Sequence, residues 1–271
     1  MRLTLRILLL CLVVILGVVA LIYFRQHSMI YHPRPYDASY AGALPARGIE
    51  VEYRVPFGKQ TAFYVPGSAA VPKRLWLAFC GNGSLALDWM SILRGYPPNE
   101  DAFLLIDYPG YGKNTGYATI ESTRVSTRAA WQALAGHLGV EKEKLALAVI
   151  GHSLGAAVGL DFAAHHPVER MVVIAPFTSL REEAAQIVGG PLSHLLIENY
   201  DNRKNLGESL QRNPGLRLAI FHGTADEVIP FRMGRQLAHE FSFADFFPVE
   251  GGDHINVLTR ARGKMIEWMN H

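Results

Sequence analysis

Cysteine is scarce in this 271-residue chain: there are two, Cys11 and Cys80. Cys11 falls in an apolar N-terminal run and Cys80 at the end of a predicted strand, so no disulfide between them is expected. No Cys/His cluster has zinc-ligand spacing, and no metal site is expected. An excess of one charge is also missing. The formal net charge is +2, and setting aside Arg2, Arg6 and Arg25 leaves 23 of the 26 Lys and Arg against 24 Asp and Glu. That balance provides no basic patch and argues against a nucleic-acid partner. Low-complexity blocks and solenoid-period repeats are absent too. Charge of either sign is lacking over the eighteen residues from Ile7 to Phe24.

That run points to a membrane. Eighteen helical residues rise about 27 Å, close to the hydrocarbon thickness of a bilayer. Arg2 and Arg6 precede it, Arg25 and His27 follow, and Tyr23-Phe24 sits where an interfacial aromatic belt falls. An uncleaved signal anchor over residues 1–27 is one reading. A cleavable signal peptide, with Val18-Val19-Ala20 as a poor cleavage site, is the other. The length of the run and its continuation past that site favour the anchor. The basic N-terminal flank is expected to stay in the cytoplasm, with the rest on the periplasmic, lumenal or extracellular side. Residues 28–48 are aperiodic and read as a juxtamembrane stalk, leaving 49–271 for the main domain.

The main domain reads as a hairpin followed by alternating strands and helices. Glu50–Val55 and Thr61–Val65 flank a Pro56–Lys59 turn. The continuous apolar run Leu75–Phe79 suits a parallel strand covered on both faces, Phe103–Ile106 is the next apolar strand, and further strands are expected at Leu145–Ile150, Met171–Ala175, Arg217–Phe221 and Ala244–Val249. Helices are expected at Ser84–Leu93, Ile120–Leu138 (with Val125, Ala129, Leu134 and Leu138 on one face), Arg181–Ile197, Arg232–Glu240 and Ile255–Met269. This order implies a largely parallel sheet covered by helices, with any ligand site beyond the strand C-termini.

Three chemistry-bearing residues fall at such ends. Gly151-His152-Ser153-Leu154-Gly155 joins a strand to a helix, a turn that pushes a serine Oγ outward. Asp226 follows the Arg217–Phe221 strand, and His254 follows Ala244–Val249. A serine nucleophile needs a base to take its proton and an acid to orient the base. In this reading His254 serves Ser153 and Asp226 orients His254, with Glu227 as the competing acid. The oxyanion donors are expected from Leu154 N–H and from Asn82 N–H, in the Cys80–Ser84 loop. Asp107, in Asp107-Tyr108-Pro109-Gly110-Tyr111-Gly112, is expected to bond loop amides. The other ten histidines are expected to be structural, with His222 near the site.

These motifs, with Pro176-Phe177-Thr178-Ser179-Leu180, Gly223-Thr224-Ala225-Asp226 and Ile30-Tyr31-His32-Pro33, resemble the α/β-hydrolase superfamily. Within it they are similar to membrane-anchored hydrolases of the serine-aminopeptidase-like branch. The resemblance implies an α/β-hydrolase fold: a mostly parallel eight-stranded sheet flanked by helices, a short helical cap and an N-terminal transmembrane helix. It also implies ester, thioester or amide hydrolysis with no metal or organic cofactor. One departure stands out: the family usually has His-Gly before the oxyanion asparagine, and here it is Cys80-Gly81. A cap is expected within about 177–214, with Phe177, Leu195 and Ile229 lining the pocket. An apolar cap beside an anchor suits a small acyl ester, a thioester or a lipid. Glu182, Glu183 or Glu198 could instead hold a peptide amine in an amidase or peptidase. A non-catalytic, membrane-bound binding module on the same fold is the remaining alternative.

Overall fold

The computed structural model describes residues 2–97 and 99–271. Helix α1 (Arg2–Ile30) leads through a 3₁₀ turn at Ala38–Tyr40 to the hairpin β1 (Ile49–Val55) and β2 (Gly58–Val65). Then come β3 (Arg74–Phe79), α2 (Trp89–Ile92), β4 (Asp101–Ile106), α3 (Ile120–Leu138), β5 (Ala146–His152), α4 (Leu154–His165) and β6 (Arg170–Ile174). The chain closes with α5 (Leu180–Val188), α6 (Gly190–Ser193), α7 (Asn202–Arg212), β7 (Arg217–Gly223), α8 (Phe231–Glu240), β8 (Asp245–Val249), α9 (Val257–Arg260) and α10 (Arg262–Asn270). All eight strands form one sheet in the order β1-β2-β4-β3-β5-β6-β7-β8. β1 and β2 run antiparallel at one edge, and from β4 to β8 every pairing is parallel.

Parallel strands need both faces covered, and the side-chain alternation of β5 shows how this is met. Leu147 and Val149 pack into one apolar layer, with α3, α4 and α8. Ala148 and Ile150 pack into the other, with α9 and α10.

Four expectations about helices are corrected. The run Ser84–Leu93 is a 3₁₀ turn at Ala86–Asp88 followed by the short α2. The helix expected over Arg181–Ile197 breaks at Gly189, whose φ of 83° lies in the left-handed region, and Pro191 follows at once. The last helix is divided at Ala261 into α9 and α10. The buried stripe of α3 runs through Thr123, Ser126, Thr127, Ala130, Trp131 and Leu134 rather than through Val125, Ala129 and Leu138. Small polar residues form part of that stripe, which an apolar-only pattern passes over.

Within the 177–214 segment only α5, α6 and the loop after them stand over Ser153. Helix α7 packs on α4 as a crossover helix, with Arg212 Nε donating to the Ala164 carbonyl at 3.0 Å. Helix α1 reaches Ile30, three residues past the expected anchor. Most of it up to Phe24 is exposed, whereas Gln26 and Ile30 are buried against the domain.

Candidate active site

The turn between β5 and α4 is where the chain is most constrained. Ser153 has φ 55° and ψ −119°, a conformation that L-residues rarely adopt. Its N–H donates to the Ile174 carbonyl at 2.9 Å, fixing the turn to β6. Two glycines make the turn possible through close approach. A Cβ on Gly151 would sit 2.2 Å from the Gly155 carbonyl oxygen, and one on Gly155 would sit 2.1 Å from that of Phe79.

Asp226 and His254 reach the serine from the ends of β7 and β8. Ser153 Oγ lies 3.0 Å from His254 Nε2, and His254 Nδ1 lies 2.8 Å from Asp226 Oδ2. Beside a carboxylate, the Nδ1–H tautomer donates to Asp226 and leaves Nε2 to accept the serine proton. The second carboxylate oxygen, Oδ1, accepts the N–H groups of Val228 and Ile229 at 2.9 and 2.8 Å. Burial pushes the Asp226 pKa up, but hydrogen bonds from His222, His254 and Ile229 N–H outweigh it, so the carboxyl sits well below the usual range. Glu227, the alternative acid, faces solvent.

Two histidines expected to be structural belong to this arrangement. His152 is buried, and its Nε2 donates to the His254 carbonyl at 2.8 Å. Its other edge meets the Cys80–Ser84 loop, where a Cβ on Gly81 would lie 3.2 Å from Nδ1. Burial and the neighbouring His254 pull its pKa down to about 3, so it stays neutral at ordinary pH. His222 is fully buried, with Nε2 2.9 Å from the Ile229 carbonyl and 3.5 Å from Asp226 Oδ2. It braces the loop that carries Asp226. Its place at the end of β7 was the available signal for this role, whereas nothing marked the variable slot of the elbow.

The facing loop, Cys80–Ser84, is held from outside. Tyr108 Oη donates to the Cys80 carbonyl at 2.5 Å, and Tyr111 Oη donates to the Asn82 carbonyl at 2.7 Å. Tyr111 Oη also accepts the His32 N–H at 2.7 Å, and Arg34 Nε donates to the Gly83 carbonyl at 2.9 Å. The segment just beyond α1 is therefore wired into the loop. Asp107 anchors the following turn, accepting Ala86 N–H at 2.7 Å and Tyr36 Oη–H at 2.6 Å. Burial pushes the Asp107 carboxyl up to about 6, against the pull of those two donors. Cys80 is buried in the sheet layer with Ala148 and Ile150, and burial raises its thiol pKa well above the usual range, away from nucleophilic chemistry. Among the described residues, no carbonyl outside α4 accepts the Leu154 N–H and none accepts the Asn82 N–H.

Asn82, Ser153, Leu154 and His254 line one cavity of about 410 Å³, a volume typical of small-ligand sites. Phe177, Leu195 and Ile229, the three expected pocket residues, line it as well. The wall not foreseen from the sequence comes from α1.

A mostly parallel sheet with a serine, an acid and a histidine on the loops after β5, β7 and β8 defines the α/β-hydrolase class. The chain matches the alpha/beta hydrolase family over residues 65–255 and belongs to that family, a family of hydrolases. It is 28% identical over 226 residues to an uncharacterised protein of Mycobacterium tuberculosis, covering 82% of this chain and 77% of that one. It is 26% identical over 251 residues to YfhR of Salmonella typhi, covering 86% and 82%. Among solved structures, an esterase of Pyrococcus furiosus shares the fold with a TM-score of 0.66 at 14% identity, covering 89% of this chain and 97% of that one.

Proposed function

We propose that this hydrolase is a membrane-tethered serine esterase cleaving carboxylic ester or thioester bonds through an acyl-enzyme on Ser153. The observation that carries the reading is the line from Ser153 Oγ through His254 to the buried Asp226, at the floor of a mainly apolar pocket. In the first half-reaction Ser153 Oγ attacks the acyl carbon while His254 Nε2 takes its proton. The oxyanion is held by the N–H groups of Leu154 and Asn82. The C–O or C–S bond then breaks, and the leaving alcohol or thiol receives the proton from His254. In the second half-reaction water gives a proton to His254, attacks the acyl carbon and releases the acid, and the proton returns to Ser153. Asp226 stabilises the imidazolium throughout. Helix α1 is the tether, with the catalytic domain on the non-cytoplasmic side.

A fluorophosphonate probe tests this directly. The wild type should be labelled and Ser153→Ala should not; an unlabelled wild type would remove the reading.

One observation favours a second reading, an amidase or peptidase with the same triad. Of the three cap glutamates considered, Glu182 is held by Arg203 and Thr178, and Glu198 accepts from Tyr31 Oη at 2.8 Å and from Ile120 N–H at 3.2 Å. Glu183 lines the cavity, and burial pushes its carboxyl up to about 7, against the pull of Arg232 and His254. An ionised Glu183 would suit a substrate amine. Rates on acyl esters of rising chain length, set against aminoacyl amides, decide between the two: the esterase reading expects the esters to be faster.

A further inference from the structure

Helix α1 does more than stand beside the domain. Ile22, Gln26 and Ile30, spaced four residues apart, share one helix face, and all three line the cavity that contains Ser153. Tyr23 and Met29 flank them in the same lining. The helix is clamped in this position. Gln26 Oε1 accepts the Ile197 N–H at 2.7 Å, and His27 Nε2 donates to the Ala118 carbonyl at 2.6 Å. Tyr31, just past the helix end, is tied to Glu198. The opposite wall is the cap, with Leu180 from α5 and Leu192 from α6.

The depth of this opening follows from length. About 20 helical residues cross a 30 Å hydrocarbon layer. Counted from Ile7, the first residue after Arg6, that span ends near Gln26. The α1 residues in the cavity wall therefore straddle the boundary between hydrocarbon and headgroups. The cap meets the same boundary with exposed apolar side chains, Ile187 (72%) and Ile197 (65%), and Phe24 (80%) lies on the neighbouring turn of α1. In water these exposures are a cost, whereas at a bilayer surface they become contacts.

We propose that the catalytic pocket opens sideways into the bilayer between α1 and the cap, and takes the acyl chain of a membrane-resident ester or thioester directly from the leaflet. This inference rests on the esterase reading and on α1 as a tether, and it adds the source of the substrate and the route. A chain entering past Ile22 and Leu192 leaves the hydrocarbon before Gln26 and follows mainly apolar lining to Ser153.

The test uses full-length Ser153→Ala protein in phosphatidylcholine vesicles doped with a phosphatidylcholine that carries a diazirine at the end of one acyl chain. After irradiation, mass mapping should find cross-links on Phe177, Leu180 or Ile229, besides those on the lipid-facing part of α1. Ile22→Trp, which fills the portal, should reduce the inner cross-links at least fivefold without changing those at Leu9–Leu16, whereas Ile22→Ala should retain them. Labelling confined to the lipid-facing residues, or equal loss in both variants, overturns the inference. In the Ser153-intact protein, Ile22→Trp should lower the ratio of vesicle-borne long-chain ester to soluble butyrate ester turnover at least tenfold; an unchanged ratio also overturns it. If the inner cross-links form and the wild type cleaves neither ester, the esterase reading fails and the portal stands.

Discussion

The two sides of the cavity at Ser153 are built on different principles. The Ser153 side is made by the sheet. Its turn is pinned by a hydrogen bond to Ile174, and its glycines lie against backbone at distances that leave no room for a methyl group. Asp226 and His254 project from adjacent strand ends, and their backbones are braced by His222 and His152. The Asn82 side is made by loops, and it depends on residues near the N-terminus. Its carbonyls are held by Tyr108, Tyr111 and Arg34, and Tyr111 is in turn engaged by His32. Gly83 in this loop has open space where Gly155 has a wall. Ser153 and His254 are thus fixed by the core, whereas the Cys80–Ser84 loop and the rest of the cavity are completed by α1, the segment after it and the cap. In the proposed account the chemistry is set by the fold and the access to it by α1.

Breaking each side in turn should separate them. On the sheet side, His254→Ala should lower kcat for a soluble ester at least 10⁴-fold with an unchanged thermal midpoint, as a triad acting as a unit requires. Asp226→Asn should lower kcat about 10³–10⁴-fold, because it offers the wrong partner to His254 Nδ1, while Glu227→Gln changes it by less than about twofold. On the loop side, Tyr111→Phe removes the hydroxyl shared by His32 and Asn82. The expected loss is about 10- to 100-fold in kcat with little change in KM, below the roughly 10²–10³-fold cost of deleting an oxyanion donor outright. Stability sharpens the contrast. Gly155→Ala should cost at least about 1–3 kcal/mol in denaturant unfolding, and Gly83→Ala less than about 0.5 kcal/mol.

The smallest expected effect is a pH dependence in the cap. With its carboxyl raised to about 7, Glu183 is mainly neutral below that pH and anionic above it. KM for an amino-bearing ester, relative to a neutral ester of the same size, should therefore fall as the pH rises through about 7. Glu183→Gln should flatten that ratio. A flat ratio in the wild type would remove the amine-binding role.

The same division explains what could be read from the sequence. The strand ends, the serine-acid-histidine order and the glycine box are local patterns, each within a few residues of a strand. The structure brings His254 within hydrogen-bonding distance of both Ser153 and Asp226, and Asn82 and Leu154 onto the same cavity as Ser153. The cap and α1 are another matter. Gln26 meets Ile197 across 171 residues of chain, and Tyr31 meets Glu198 across 167. No periodicity encodes such pairs, so α1 read as a plain anchor and not as a pocket wall. His152 escaped for a related reason: its partner is the backbone of a residue 102 positions away. The departure at Cys80 was visible, but the tyrosines and arginine that hold its loop could be connected to it only in three dimensions.

The central claim is that Ser153 carries the acyl group. Acid-quenching the wild type during turnover of a slowly hydrolysed p-nitrophenyl ester, followed by peptide mass mapping, tests it most directly. The account predicts the acyl mass on the peptide containing Ser153, formed in a burst of one equivalent and absent from Ser153→Ala. Steady turnover with no adduct, or an adduct on any other residue, would contradict it.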